Sequence, residues 1–230
     1  MKNAAAQIGR EAIGVPAGEV QLAADLALPE EAHGIVLFAH GSGSSRKSPR
    51  NRHVADVLNE GSIGSILIDL LTEDEEQVDA QTAELRFDID LLTRRLIAIT
   101  DWIGAQRDLR KLGLGYFGAS TGAAAALAAA AARPEAVRAV VSRGGRPDLA
   151  GHALGRVHAP CLFLVGGNDS VVLDLNRDAI ACLPRNTKRR LEIIPGATHL
   201  FEEPGALDRV AELARDWFRL HLSEPREIER

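Results

Sequence analysis

Short apolar runs rich in β-branched residues alternate with longer helical patterns along most of this chain. Six such runs follow one another between residues 33 and 196, each separated from the next by a helical pattern. This alternation predicts a mainly parallel sheet with helices on both faces. Residues 11–29 instead predict two strands joined by a turn at residues 16–18, which would open the sheet as an antiparallel hairpin. The predicted fold class is therefore α/β, with about eight mostly parallel strands.

The positions of the individual elements follow from the same patterns. We expect the parallel strands at residues 33–41, 62–71, 112–120, 137–145, 159–167 and 188–196. We expect the helices at residues 53–61, 82–107, 121–133, 148–156, 174–183 and 205–220. The acidic connector at residues 72–80 is expected to be a solvated loop or the start of a helix. The alanine-rich helix after residue 120 should pack closely against the sheet, where large side chains would not fit.

Length and composition restrict the class of protein. The 230 residues fit one domain, predicted to span residues 1–230, and the connection before the strand at 159–167 is too short for a large cap. A net charge of −5 disfavours nucleic acid or an anionic membrane as the main partner. We find no stretch of about 20 apolar residues and no signal-peptide pattern, so we expect a cytoplasmic protein.

Two cysteines are present, and neither belongs to a paired motif. Cys161 lies in an apolar run and Cys182 lies near the end of a helical stretch. We expect both thiols to be buried filler in the core. Oligomeric state stays open between monomer and homodimer, because no amphipathic seam or heptad pattern is visible.

The pentapeptide Gly-Ala-Ser-Thr-Gly at residues 118–122 carries the strongest chemical signal. A G-x-S-x-G sequence between a strand and a helix is typical of a nucleophile elbow, a sharp turn that exposes the serine hydroxyl. The turn needs small residues on both sides, which the two glycines supply. The N-terminus of the helix behind the serine carries partial positive charge, which stabilises negative charge that develops during the reaction. We therefore predict Ser120 as a nucleophile.

A serine hydroxyl needs a base to accept its proton and an acid to orient that base. In this kind of site the chain order is serine, acid, histidine. His199 directly follows the last predicted strand and is the expected base; the other histidines after Ser120 are His152, His158 and His221.

The acid is expected in the turn after the strand at residues 159–167. Asp169 occupies that turn, so we predict that it fixes the tautomer of His199. Asp174 is interpreted as an N-cap of the following helix, and Asp148 likewise as an N-cap.

Two backbone N–H groups should hold the oxyanion. The residue after the nucleophile, Thr121, supplies one of them. The glycine-rich loop after the strand at residues 33–41 supplies the other, and the N–H of Ser42 is the first choice. Gly41 in the same loop lets the backbone approach the substrate and is a candidate substrate contact.

Several charged residues have open interpretations. Arg143 stands at the carboxyl end of a predicted strand, where it could bind a carboxylate of an acidic substrate or pair with a loop acid. Arg86 and Asp88 are expected to form ion pairs on a helix face. The basic loop at residues 46–52 borders the predicted mouth of the site. It is interpreted either as solvated surface or as a charged region that attracts anionic substrates.

Five segments together resemble the α/β-hydrolase superfamily, and most closely its small, lidless dienelactone-hydrolase-like members. They are FAHGSGSSRKSPRNR, GYFGASTGAA, VVSRGGRPDLAG, VGGNDSVV and PGATHLFEEPGAL. In some proteins of this group the module is fused to a phosphoribosyltransferase domain. Dienelactone hydrolases proper carry a cysteine at the elbow and a glutamate in the strand-end loop. This chain has Ser120 and no such glutamate, so the resemblance implies a serine esterase rather than dienelactone hydrolysis.

The predicted activity is hydrolysis of a small or short-chain ester through an acyl-enzyme on Ser120. No metal or organic cofactor is expected, since no metal-binding motif is visible. The same residues would also serve a thioesterase, a lactonase or an amidase. A non-catalytic scaffold that binds a small ligand or a protein is the alternative from another class.

Overall fold

The computed structural model describes residues 9–223, and within this range one eight-stranded sheet is flanked by helices. The strands are β1 (Glu11–Ala17), β2 (Val20–Ala27), β3 (Gly34–Ala39), β4 (Ile63–Ile68), β5 (Gly113–Ala119), β6 (Val137–Arg143), β7 (Cys161–Gly166) and β8 (Arg189–Ile194). The helices are α1 (Pro49–Glu60), α2 (Glu73–Thr82), α3 (Ile89–Ala105), α4 (Thr121–Ala132), α5 (Ser170–Cys182) and α6 (Ala206–Leu222). Two 3₁₀ stretches cover Leu85–Phe87 and Pro147–Arg156.

The strand order across the sheet is β1-β2-β4-β3-β5-β6-β7-β8. β1 pairs antiparallel with β2, and β2 pairs antiparallel with β4; the other neighbours are parallel. The carboxyl ends of β3 to β8 therefore meet at one edge, where ligands bind in open sheets of this type. The predicted α/β class and its opening hairpin are confirmed.

Each face of the sheet has its own apolar core. One core packs β-strand side chains against α3, α4, α5 and the second 3₁₀ stretch. The other packs the opposite sheet face against α1 and α6. Every residue of β3, β4, β5 and β7 is buried, which explains why these strands appear in the sequence as continuous apolar runs.

Helix α4 packs closely against the sheet, as its alanines predicted. Nine of its twelve residues are buried, and almost all of these are alanine or glycine. Short side chains let the helix axis approach the strands, so the first turn of α4 lies directly over the ends of β3 and β5.

Several element boundaries differ from those predicted. The turn of the opening hairpin lies at Gly18 and Glu19, because Pro16 stays within the edge strand β1, where a missing N–H is tolerated. Of the two alternatives for the acidic connector, the structure has the helix: α2 begins there with a capping box between Thr72 and Glu75. The helix expected from residue 82 begins only at Ile89, after a 3₁₀ turn.

Three further predictions on single residues were wrong. Helix α5 begins at Ser170, so Asp174 lies inside it and pairs with Arg177 rather than capping the helix. Asp148 likewise lies within a 3₁₀ stretch, where Arg146 holds its carboxylate. Cys161 is buried as expected, but Cys182 is exposed at the end of α5. In the described part of the chain, no helix is both long and apolar enough to cross a membrane.

Candidate active site

Ser120 occupies a strained turn between β5 and α4. Its backbone has φ 49° and ψ −121°, a combination that side-chain-bearing residues rarely adopt. Such a conformation costs about 1–3 kcal/mol and persists only where the surroundings enforce it. Observed strain of this kind is typical of functional turns, and it matches the elbow predicted from residues 118–122.

The two glycines of the pentapeptide are required by close packing. A Cβ atom on Gly122 would lie 2.3 Å from the carbonyl oxygen of Ala39, the last residue of β3. A Cβ atom on Gly118 would lie 2.4 Å from the Cα of Ala123. Both contacts involve backbone or the first turn of α4, which cannot move aside. The glycines therefore let α4 start directly behind Ser120.

His199 and Asp169 meet at the same edge of the sheet. The imidazole Nδ1 of His199 lies 2.7 Å from Oδ2 of Asp169. Asp169 follows β7, and its carboxylate is largely buried, whereas 39% of the His199 side chain is exposed. The structure thus brings together the acid and base that the sequence predicted, and it leaves the histidine ring open to an incoming molecule.

The nucleophile and the histidine approach the same stretch of backbone. The N–H of Ser120 donates to the carbonyl oxygen of Arg143 at 3.2 Å. The next residue, Gly144, has φ 49°, and a Cβ atom there would lie 3.4 Å from Nδ1 and Cε1 of His199. The end of β6 therefore lies between the elbow and the loop that carries His199, which we call the histidine loop. A side chain at position 144 would press on the imidazole.

The loop after β3 lies against the elbow. A Cβ atom on Gly41 would lie 3.0 Å from the Cβ of Ser120, so glycine permits this approach. The N–H of Ser42 donates to Oγ1 of Thr121 at 3.0 Å. The two residues predicted to hold an oxyanion are thus adjacent, and the Ser42 N–H has a hydroxyl acceptor when no substrate is bound.

His40 fixes the peptide that carries the Ser42 N–H. Its Nε2 accepts the N–H of Leu70 at 3.1 Å, so the proton sits on Nδ1, which donates to the carbonyl oxygen of Gly41 at 2.9 Å. Burial lowers the pKa of His40, which keeps the ring neutral and this tautomer in place. The sequence showed this residue only as part of a glycine-rich loop, because its partner Leu70 follows a different strand.

A cavity of about 510 Å³ adjoins the elbow. It shares Gly41, Ser42 and Thr121 with the site and extends toward α1, α2 and α3. Its wall combines serines and charged groups with the apolar side chains of Leu70, Leu71 and Leu92. This volume suits a small ligand with a short apolar portion.

The charged groups around the cavity are paired differently from the predictions. Arg86 binds the buried carboxylate of Asp79 on α2, whereas Asp88 caps α3 by accepting the N–H of Leu91. The expected helix-face ion pairs were therefore wrong in their positions: Arg86 forms an ion pair from a 3₁₀ turn, and Asp88 is a helix cap. Glu76 also lines the cavity, and burial together with the nearby Asp69 raises its pKa.

The basic loop divides into two parts. Arg46 and Arg52 bind Asp25, and Arg46 also binds Asp69, so these two arginines hold the loop in place. Lys47 and Arg50 line the cavity instead. Only this second pair can meet a ligand there.

Arg143 is 8% exposed at the end of β6. Its Nε and Nη1 atoms are buried and have no hydrogen-bond partner within residues 9–223. No carboxylate in that range forms an ion pair with Arg143. The alternative of a salt bridge to a loop acid is therefore not seen among the described residues.

Comparisons with known proteins agree with this architecture. A model of the dienelactone hydrolase family matches residues 22–222. Two curated proteins of Mycobacterium tuberculosis, from strains CDC 1551 / Oshkosh and ATCC 25618 / H37Rv, are each 57% identical over 215 residues. Both are named as candidate phosphoribosyl transferases. The match covers 94% of this chain and 47% of each relative, so the chain spans about half the length of the curated relatives it matches.

Solved structures extend the comparison. The crystal structure of a dienelactone hydrolase from Anabaena variabilis has a TM-score of 0.91 and 57% sequence identity, covering 94% of this chain and 99% of that chain. Est1E from Butyrivibrio proteoclasticus has a TM-score of 0.74 at 16% identity, covering 91% of this chain and 97% of its own, which shows a shared fold. These chains have the α/β-hydrolase fold described above. Because the family model spans nearly all of the described residues, this chain belongs to the dienelactone hydrolase family.

Proposed function

We propose that this protein is a serine hydrolase that cleaves a carboxylic ester through an acyl-enzyme intermediate. The observation that carries the proposal is the 2.7 Å contact between His199 and Asp169 at the sheet edge that also holds the strained Ser120 turn. Nucleophile, base and acid leave from the ends of β5, β8 and β7, in the chain order typical of this fold.

In the first half-reaction, Ser120 Oγ attacks the ester carbonyl carbon and its proton passes to Nε2 of His199. The carboxylate of Asp169 accepts the Nδ1–H and stabilises the imidazolium that forms. The tetrahedral intermediate then collapses, the bond to the alkoxy oxygen breaks, and His199 returns the proton to the departing alcohol. Ser120 is left as an ester of the acyl group.

In the second half-reaction, water replaces the alcohol. His199 accepts a proton from the water as the water oxygen attacks the acyl carbon, and a second tetrahedral intermediate forms. Its collapse breaks the bond to Ser120 Oγ, which regains the proton from His199. The products are a carboxylic acid and free enzyme, so no electrons are exchanged and no further reactant is needed.

The N–H groups of Ser42 and Thr121 are proposed to hold the oxyanion. Because the Ser42 N–H donates to the Thr121 hydroxyl in the structure, the substrate oxygen would take over that donor as it binds. The hydrogen bond from His40 to the Gly41 carbonyl fixes the peptide plane that joins Gly41 and Ser42. The Ser42 N–H therefore keeps its direction when its acceptor changes from the Thr121 hydroxyl to the substrate oxygen. Preorganised donors of this kind are worth several kcal/mol in the transition state, about 2.7–4 for one donor.

The cavity favours small or short-chain acyl groups, since it measures about 510 Å³ and has only a few apolar lining residues. Thioesters, lactones and amides pass through the same kind of oxyanion and are alternatives within the same mechanism. A ligand-binding scaffold without catalysis is the alternative from another class. The transferase name belongs to relatives of which this chain covers 47%, whereas the hydrolase family model covers residues 22–222, so we propose hydrolysis here.

A fluorophosphonate probe tests the proposal directly, because it phosphonylates only an activated serine. We expect the wild type to be labelled and Ser120→Ala to be unlabelled. Ser44→Ala is the matched control: it removes a hydroxyl from the cavity wall and should leave labelling unchanged. No labelling of the wild type, or equal labelling of Ser120→Ala, would reject a serine nucleophile.

A substrate panel identifies the bond. It should contain p-nitrophenyl esters of increasing acyl length, together with an acyl-CoA, a lactone and an anilide. We expect the highest kcat/KM on short p-nitrophenyl esters and a loss of at least about 10³-fold in His199→Ala. If His199→Ala keeps near-wild-type turnover, the base is another residue.

A further inference from the structure

Arg143 carries a buried charge that no described residue neutralises. Its side chain is over nine-tenths buried, and two of its three guanidinium nitrogens have no partner within residues 9–223. Burial lowers its pKa to about 10, so the group still carries its charge near neutral pH. Buried charges in proteins are ordinarily paired, because an uncompensated ion in the interior is strongly unfavourable. An unpaired guanidinium in this position therefore indicates an anionic ligand.

The backbone of Arg143 lies beside the proposed nucleophile, which brings the residue to the candidate active site. Arg143 pairs in the sheet with Ala119, the residue before the nucleophile, and its carbonyl oxygen accepts the N–H of Ser120. The following residue, Gly144, lies against the ring of His199. Arg143 therefore contacts the nucleophile turn, and its neighbour Gly144 lies against the histidine loop.

A second arginine reinforces the positive charge. Side chains alternate along a strand, so Arg143 projects from the same face as Ala139 and Val141, which pack under α1 and α6. Arg50 lies in the first turn of α1 on that face, and its charge disfavours the charged form of Arg143, as expected for two nearby cations.

The positive charge of Arg50 is only weakly neutralised. Its Nη1 binds Glu202 at 3.1 Å, but two thirds of that carboxylate side chain is exposed, and its Nε is buried without a partner in the described range. Arg50 also lines the cavity beside the elbow. The two arginines therefore present positive charge that the exposed Glu202 neutralises only weakly, beside the cavity that Arg50 lines.

We propose that Arg143 and Arg50 form an anion subsite, and that the ester cleaved at Ser120 carries an anionic oxygen group, a carboxylate or a phosphate, close to its scissile carbonyl. This inference rests on the proposed esterase function and names its substrate class. The planar guanidinium can bind two oxygens of one such group at once, which also fixes the orientation of the substrate. The bound anion would supply the partner that Arg143 lacks.

Matched substrate pairs test the inference. We would compare p-nitrophenyl hydrogen succinate, which carries a carboxylate, with its neutral methyl-capped diester, and p-nitrophenyl 3-phosphonopropionate with its neutral dialkyl phosphonate. We expect the wild type to prefer the anionic member of at least one pair by about 10- to 100-fold in kcat/KM. The substrate pair that shows the larger preference indicates whether the subsite favours a carboxylate or a phosphate-like group.

Substitution of each arginine shows which residue produces the preference for the anionic ester. Arg143→Met should reduce the preference to about one, because the anionic ester loses its charged partner whereas the neutral ester has none to lose. Arg50→Met should reduce the preference several-fold. Arg110→Met, an exposed arginine before β5 at the opposite end of the sheet, makes the same change in net charge and should leave the preference intact.

Stability provides a readout that does not need turnover. Because Arg143→Met removes an unpaired buried charge, we expect its Tm to equal or exceed that of the wild type, whereas a structural arginine would lower it. Inorganic phosphate or succinate should raise the Tm of the wild type and not that of Arg143→Met.

The outcomes separate the two proposals. Ser120-dependent hydrolysis with equal rates on charged and neutral esters, and no Tm shift with either anion, overturns the subsite and leaves the esterase standing. A preference that survives in Arg143→Met also overturns it. If no ester is cleaved and no serine is labelled, the esterase fails, and the Tm shift alone then decides whether Arg143 binds an anion.

Discussion

Replacing His40 by phenylalanine removes two hydrogen bonds while a planar ring remains in the same space. The N–H of Leu70 loses its acceptor, and since Leu70 is fully buried, water cannot replace it. An unsatisfied buried donor costs about 1–3 kcal/mol, so we expect the free energy of unfolding to fall by that amount. Gly41 is partly exposed, so we expect water to replace the lost donor to its carbonyl oxygen.

The effect on catalysis follows from the peptide that joins Gly41 and Ser42. Removal of one oxyanion donor lowers kcat by about 10²–10³-fold, and a donor that is loosened but still present should cost less. We expect His40→Phe to lower kcat by about 10- to 100-fold, which corresponds to about 1.4–2.7 kcal/mol in the barrier. KM should change little, because the donor acts mainly in the transition state.

The assay combines steady-state kinetics on p-nitrophenyl acetate with urea unfolding, at a temperature where each variant is fully folded. His158→Phe is the control, because His158 is exposed before β7 at the opposite end of the sheet. If His40→Phe keeps kcat within threefold of the wild type while its unfolding free energy falls, His40 supports the fold alone and the positioning argument is wrong.

The remaining predictions concern the acid, the elbow and the thiols. Asp169→Asn should keep the fold but lower kcat by about 10³–10⁴-fold, since the amide favours the wrong histidine tautomer; a loss below tenfold would contradict its role. Gly122→Ala should destabilise the protein by about 3 kcal/mol in urea unfolding, because its Cβ would meet backbone oxygens, whereas Gly104→Ala on α3 has open space and should be neutral or stabilising. Burial raises the pKa of Cys161 to about 12, so at pH 8 a disulfide reagent should titrate Cys182 alone in the native protein and both thiols in urea; two fast thiols in the native state would refute the burial.

The sheet and the acid–base pair were predictable because their signals are local. A strand followed by a glycine-rich turn identifies an elbow within ten residues, and chain order then points to Asp169 and His199. The helix starts were harder to place, since caps such as Ser48 and Thr72 compete with many similar residues in polar segments. Apart from the Asp169–His199 pair, which the chain order of this fold identifies, side-chain partners could not be read from the sequence, because they depend on which strand ends become neighbours.

Arg86 illustrates the limit. The sequence predicted an ion pair on a helix face for this residue without identifying its partner, and the turn before α3 directs the guanidinium to Asp79 on α2. The pairing between His40 and Leu70 lies beyond sequence reasoning for the same reason, since β3 and β4 must first align in parallel. Contacts of this kind, which no chain-order rule identifies, belong to the tertiary structure alone.

The proposed active-site residues leave from the ends of β3, β5, β6, β7 and β8, five strands that span most of the sheet. No short segment of the chain contains enough of the site to work alone. Turnover should therefore report on the integrity of most of the sheet: opening any one of these five strands would separate at least one group from the rest. During gradual denaturation, enzymatic activity should disappear together with the cooperative loss of secondary structure rather than before it, which makes an ester assay a sensitive measure of folding for this molecule.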